Sequence, residues 1–144
     1  MQASEDQLVT LSFRSQTSRL RLLRCVIRDS ADLAGLDKEA INAVVLAVNE
    51  ACMNIMQHAY RMDPSGQINI TVLKEPGALV FRLRDFADPV EPASIKSRSL
   101  DDVRPGGLGT HFIHCLMDEC DFMDTPDGRG NLLQMKKYLP DEED

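Results

Sequence analysis

Glu50, Asn54 and His58 recur at every fourth position of residues 50–60, Glu-Ala-Cys-Met-Asn-Ile-Met-Gln-His-Ala-Tyr, inside an otherwise apolar helical pattern. At about 100° per residue they fall on one stripe of a helix, each step displaced by about 40°. A carboxylate at Glu50 can orient or deprotonate an attacking hydroxyl. An amide oxygen at Asn54 can serve Mg²⁺, a hard cation that takes few protein ligands and fills its shell with phosphate oxygens and water. A solvated helix face is the ordinary explanation for three polar residues at this spacing. The stripe gains its interest from the segments C-terminal to it.

Asp85 closes an apolar strand pattern and can accept a hydrogen bond from an exocyclic amine such as that of adenine; an aspartate entering a turn is the plainer reading. Gly106-Gly107-Leu108-Gly109-Thr110 opens a helical pattern. Its free N–H groups and positive dipole end suit phosphate oxygens, and Gly107 and Gly109 let the backbone come close. Alone, that glycine cluster is explained as well by a tight loop-to-helix turn. There is no GxxxxGK[ST], and no GxGxxG comes after a strand, so a P-loop is excluded. The order of the signals is more specific than any one of them: polar helix stripe, strand-end aspartate, long loop, glycine-opened helix.

Several elements must position these residues. Leu8 to Arg14 alternates Val9, Leu11 and Phe13 with polar residues and predicts a half-buried strand. A helix capped by Thr17 or Ser18 runs to about Leu33, with Leu20, Leu23, Val26 and Ile27 inward and its arginines on a basic face. Gly35 stops it, and Asp37 is the expected N-cap of the next helix. That second helix buries Ile41, Val44, Val45, Val48, Cys52 and Ile55. Ala43, Ala47 and Ala51 lie beside the polar stripe, where small side chains leave room for something to approach. The helix must end before Pro64, because Asp63-Pro64-Ser65-Gly66 is turn chemistry. Ile68, Ile70 and Val72, then Glu75-Pro76-Gly77, then Leu79, Phe81 and Leu83 predict a β-hairpin. Phe86 to Gly106 has no clear period, and a loop of that length is more often a lid than idle. Leu108, Phe112, Ile113, Leu116 and Met117 share one side of the helix after it. Cys120 to Met123 and Asn131 to Tyr138 read as strands joined by a turn at Pro126 to Gly130. Runs of strands rather than strict alternation favour an α+β two-layer sandwich, with helices on one face of a mixed, mainly antiparallel sheet.

At 144 residues and 43% hydrophobic, the chain fits a single domain over 1–140, with 141–144 an acidic tail read as disordered. A net charge of -7 argues against nonspecific binding to nucleic acid or to an anionic membrane. No window approaches a transmembrane span and no signal segment opens the sequence, which makes the cytoplasm the expected location. Cys25, Cys52, Cys115 and Cys120 form no CxxC pair and are expected as reduced, mostly buried thiols. His111 and His114 form an HxxH without a partner at metal spacing and are read as structural.

With these residues in place, the chain resembles the GHKL superfamily of ATP-binding domains, and within it the short anti-sigma factor serine kinases of the RsbW and SpoIIAB type. The resemblance runs from the first strand to Tyr138. Glu50-x-x-x-Asn54-x-x-x-His58-Ala59-Tyr60 corresponds to the N box, Asp85 to Pro89 sits at the DxGxG box, and Gly107-Leu108-Gly109 matches the second glycine box. Leu116-Met117-Asp118-Glu119 after it is also typical of these kinases. The resemblance implies a Bergerat-type fold, with ATP and Mg²⁺ held by Asn54, His58, Asp85, Ala87, Gly107, Leu108, Gly109 and Thr110, and the metal on Asn54. It implies that Glu50 acts as base toward a protein serine or threonine. Arg104 matches a lid arginine that can neutralise the γ-phosphate or touch a partner, against the plainer reading of a solvated loop charge. Ala87 and Pro89 replace the two glycines of the DxGxG box, and Gln134 stands about where relatives often carry a threonine near adenine. The partners implied are a STAS-type anti-anti-sigma protein as substrate, a sigma factor or other regulator to be sequestered, and a second copy in a homodimer. Two further readings stay open: a catalytically weak or inactive nucleotide-binding module acting by sequestration, and an orphan domain passing phosphate to a histidine.

Overall fold

The computed structural model describes residues 5–88, 113 and 116–140. Five strands, β1 (Asp6–Arg14), β2 (Gln67–Glu75), β3 (Ala78–Asp85), β4 (Glu119–Met123) and β5 (Asn131–Tyr138), form one sheet in the order β1-β2-β3-β5-β4. Every pairing among them is antiparallel. Two helices, α1 (Leu20–Leu33) and α2 (Lys38–Asn54), pack on one face of it in an α+β arrangement.

The period-2 pattern decides that face. Val9, Leu11 and Phe13 lie opposite Val72, Ile70 and Ile68, which in turn face Phe81, Leu83 and Asp85. Leu79, Phe81, Leu83 and Met135 join Leu23, Ile27, Val44, Val48, Cys52 and Met56 in a single core. Each large side chain buried this fully contributes about 1.5–3 kcal/mol before entropy is counted. The other face carries Arg82, Arg84, Gln134 and Lys136 beside a small apolar cluster of Leu73, Ala78 and Val80.

Local chemistry accounts for the helix ends, with one change from expectation. Thr17 and Ser18 do not cap α1. Ser15 N–H bonds to Gly66 O and Gln16 N–H to Arg14 O, each at 2.7 Å, and the chain passes straight into a 3₁₀ turn over Thr17–Arg19. That puts Gln16 where the cap belongs, with no side-chain bond. At the far end Leu36 N–H reaches Ala31 O (3.2 Å), and Gly35 N–H reaches Asp32 O (3.1 Å) with Gly35 at φ 98°. This is a Schellman closure, which needs the left-handed residue that glycine supplies. Asp37 caps α2 as expected, its side chain accepting from Ala40 N at 2.8 Å.

α2 gives way after Asn54 to a π-helical turn, Ile55–Ala59, closed by Tyr60 N–H on Ile55 O at 2.9 Å. Such wider turns are rare and gather at functional sites. Arg61 and Met62 then take φ of 52° and 67°, left-handed values that cost non-glycine residues about 1–3 kcal/mol each. Met62 N–H on Met56 O (2.7 Å) and Asp63 N–H on Tyr60 O (2.9 Å) hold the reversal.

Ala47 and Ala51 are 0% and 1% exposed and belong to the core, so they leave no free approach beside the polar stripe. On the helical wheel both lie between the arc of Val44, Val48 and Cys52 and the polar stripe, so burial extends right up to the stripe, and of the three alanines only Ala43 stays half-open. Cys52 is buried and Cys120 half-buried; burial lifts both thiols, Cys120 to about 12. Cys25 departs from the buried expectation by facing solvent on α1. Cys115, His111 and His114 lie outside the described residues.

Candidate functional site

Glu50 and Asn54 are half-buried, one turn apart, at the edge of the buried arc of α2. Asn49 lies about 140° round the helix from Asn54. Its Oδ1 accepts from Arg24 Nη1 at 3.0 Å, which places α1 on that flank. Asn54 therefore lies away from that contact on the wheel, with Glu50 between the two. Among the described residues neither side chain has a hydrogen-bond partner. His58 sits on the π-helical turn and is exposed. From Ile55 onward the chain follows the wider turn, whose angular step differs from the α-helical one that sets the Glu50–Asn54 spacing.

Asp85 ends β3 on the helix-covered face of the sheet and is 3% exposed. Asn131 Nδ2 and Ala87 N both donate to its Oδ1 at 3.0 Å. Among the described residues Oδ2 takes no bond. Asn131 also reaches Asp88 O at 3.3 Å, so one buried amide from β5 fixes both the carboxylate and the turn after it. Sequence reading missed Asn131. Its only local signal is a polar residue opening a strand directly after a glycine turn.

Gln134 is on the other face. It pairs with Arg82, whose Nε donates to Gln134 Oε1 at 2.8 Å, and Asp85 lies on the opposite side of the sheet. The β5 positions that share the Asp85 face are Asn131, Leu133, Met135 and Lys137.

Gly130 is bound to this corner by space. Its φ is 66°, and a Cβ there would run into the Asp85 carbonyl oxygen and lie 2.9 Å from Phe86 Cα. Gly130→Ala is expected to lower stability by about 1–3 kcal/mol and to weaken nucleotide binding with it, because the β5 start must retreat from Asp85. Urea unfolding alongside ADP titration checks both.

Burial pushes the Asp85 carboxyl above the usual carboxylate range; the Asn131 and Ala87 bonds and the nearby Arg84 charge pull it down by less. Between its ordinary value of about 3.9 and the raised one, the folded chain holds a proton that the unfolded chain has lost, so stability falls as pH rises through that window. A ligand amine needs the ionised form and expels the proton. If Asp85 receives adenine as the resemblance implies, affinity for an adenine nucleotide is expected to rise with pH through the same window and level above it. Calorimetry at several pH values checks this, with Asp85→Asn lacking that rise.

The two halves of the site meet through Tyr60. Its hydroxyl donates to Gln67 O at 2.6 Å and accepts from Phe86 N at 2.7 Å, beside Asp85. Ala87 is half-buried. Arg104, Gly107, Leu108, Gly109 and Thr110, and Pro89 with the lid, lie outside the described residues. Ile113 and Met117 are buried, and Met117 N–H bonds to Ile113 O at 3.0 Å, one helical turn of the expected helix.

A helix-on-sheet sandwich with a carboxylate and an amide one turn apart on its second helix, and a buried aspartate at a strand end, belongs to a known class. The profile of the family described as "Histidine kinase-like ATPase domain" matches residues 13–137, and the chain belongs to that family. It is similar to the serine-protein kinase RsbW of Bacillus subtilis, 27% identical with 93% of this chain and 87% of that protein covered. The RsbW of Halalkalibacterium halodurans is 23% identical over 99% and 90%. Among solved structures, the RsbU and RsbW domains of Rv1364c from Mycobacterium tuberculosis share the fold with TM-score 0.62 and 19% identity, covering 92% of this chain and 34% of that one. A chain of the SiaB–SiaC complex from Pseudomonas aeruginosa gives TM-score 0.61 at 15% identity, over 92% and 91%. Among the described residues no helix is long and apolar enough to cross a membrane.

Proposed function

We propose that the chain is an ATP-dependent serine/threonine protein kinase of the anti-sigma type. It phosphorylates a STAS-domain partner and, when free of it, sequesters a sigma factor or other regulator. The observation that carries the reading is the pairing of Glu50 and Asn54 on α2, without hydrogen-bond partners among the described residues, with a buried Asp85 whose next residue, Phe86, is bonded to Tyr60 at the end of the turn that follows α2.

The residues fit Mg²⁺-ATP. Asp85 Oδ2 is left to accept an exocyclic amine while Oδ1 is held by Asn131 and Ala87. Asn54 offers an amide oxygen, a hard donor suited to Mg²⁺. Bound Mg²⁺-ATP supplies the phosphoryl group and the metal charge that neutralises it. Glu50 takes the proton of the acceptor hydroxyl, an efficient step only where the carboxylate sits within hydrogen-bond reach of it. Half-burial of Glu50 limits competing water. In this reading Gly107, Leu108, Gly109 and Thr110 would offer backbone N–H groups to phosphate oxygens, and Arg104 would neutralise charge on the γ-phosphate.

Ala87 and Pro89 in place of glycines support a second reading, a nucleotide-binding module that acts by sequestration alone. The chain incubated with Mg²⁺, labelled ATP and a STAS-domain partner protein is expected to yield phosphoserine or phosphothreonine. Bound ATP with no phosphorylated product would reject the kinase part and leave the module. Acid-labile phosphate on the acceptor would point to histidine transfer.

A further inference from the structure

Tyr60 links elements that sequence distance keeps apart, and its surroundings are built to hold it. The ring packs against the core and lies on Gly66, where a Cβ would stand 2.5–2.6 Å from three ring carbons. No side chain other than hydrogen fits under it. The hydroxyl then has both its roles filled, donating to Gln67 O at the start of β2 and accepting from Phe86 N at the end of β3. The residue is reached through the π-helical turn that begins immediately after Asn54 and ends on Tyr60. Two left-handed residues come directly after it. An α-helix continued past Asn54 would carry Tyr60 to a different height and azimuth.

Phe86 matters because of its neighbours. The Asp85 carboxylate precedes it, and the Ala87 N–H that bonds that carboxylate is the next residue along. With Phe86 N–H fixed from one side and Asn131 holding Asp85 Oδ1 and Asp88 O from the other, the turn 85–88 is held at three points.

The geometry points to Tyr60 as a positioning residue: its hydroxyl fixes the Asp85–Ala87 backbone to the end of the helix that bears Asn54, so that the adenine-recognising carboxylate and the metal-side amide keep one spacing. This rests on the reading of Asp85 and Asn54 as the nucleotide site. Tyr60 touches no nucleotide itself. It acts through the Phe86 amide.

Two variants separate the hydroxyl from the ring. Tyr60→Phe keeps the ring on Gly66 and removes the oxygen; Gly66→Ala keeps the oxygen and displaces the ring. In hydrogen exchange on the protein without ligand, the Phe86 amide is expected to exchange about tenfold faster or more in both variants, with the β2 and α2 amides unchanged. An unchanged Phe86 rate in Tyr60→Phe overturns the proposal. In ADP titrations Tyr60→Phe is expected to cost about tenfold in affinity in the wild-type background and less than about twofold in the Asp85→Asn background. Losses that simply multiply would mark a general loss of stability and overturn the positioning role. If the wild-type chain bound no adenine nucleotide, the functional reading would fail by itself, and the Phe86 exchange rate would still decide whether Tyr60 holds the strand end.

Discussion

Glu50→Ala is expected to bind ATP within about twofold of wild type while phosphoryl transfer to the STAS partner falls by about 10²–10⁴-fold. The asymmetry comes from what the carboxylate touches. In the proposed reading Asp85 and Asn54 would face the nucleotide, whereas Glu50, one turn earlier on α2, would meet the acceptor hydroxyl and take its proton. General-base removal lowers the rate of the chemical step and leaves ground-state binding of the nucleotide alone. Calorimetry with ATP, paired with single-turnover transfer from labelled ATP, reads the two quantities separately. A parallel loss of binding would show that Glu50 supports the metal or the fold. Unchanged transfer would remove it from the chemistry.

Asp85→Asn is expected to weaken ATP binding by about 10–100-fold, the worth of a charge-assisted hydrogen bond in a buried site. The fold should tolerate the change. The asparagine Oδ1 can still accept from Asn131 Nδ2 and Ala87 N, and the desolvation that raises the native carboxyl disappears with the charge. The variant is therefore expected to be at least as resistant to urea as wild type near neutral pH. ATP affinity left unaffected would contradict the adenine role of Asp85 and, with it, the orientation of the whole site.

The expected behaviour of these two variants differs because the environments differ. Asp85 is buried and bonded, so its substitution acts on binding and on the pH dependence of binding. Glu50 is half-buried with no partner among the described residues, so its substitution acts on reactivity. Position along the chain does not separate the roles, since a carboxylate at either place looks the same in the sequence.

Much of this was legible in the residues because the signals are short-range. Period-2 alternation sets which residues of β1, β2 and β3 face the helices, and that alternation puts Asp85 on the covered side. Asp37 three residues before the Ala40 N–H it caps, Gly35 in the left-handed position, and Pro76-Gly77 between two apolar runs are all decided within a few bonds of chain. Glu50 and Asn54, one α-turn apart, are neighbours whatever the rest of the fold does.

What sequence pattern left undecided are matters of packing at a distance. Asn131 meets Asp85 across 46 residues, and Tyr60 meets Phe86 across 26. Nothing in either local stretch encodes the partner. Ala47 and Ala51 look like open space beside a polar stripe until the core closes over them. Gln134 falls on the wrong face for an adenine contact only once the β3–β5 register is fixed, since a shift of one residue would reverse it. The π-helical turn is likewise a tertiary outcome: the Tyr60 ring on Gly66 and its two hydroxyl bonds hold the chain in a turn that helix propensity does not favour. Periodicity and turn chemistry are properties of a few consecutive residues, so the sequence determines the elements and the faces they bury. The spacing between a carboxylate on one element and an amide on another depends on how those faces pack, and the folded core alone settles it.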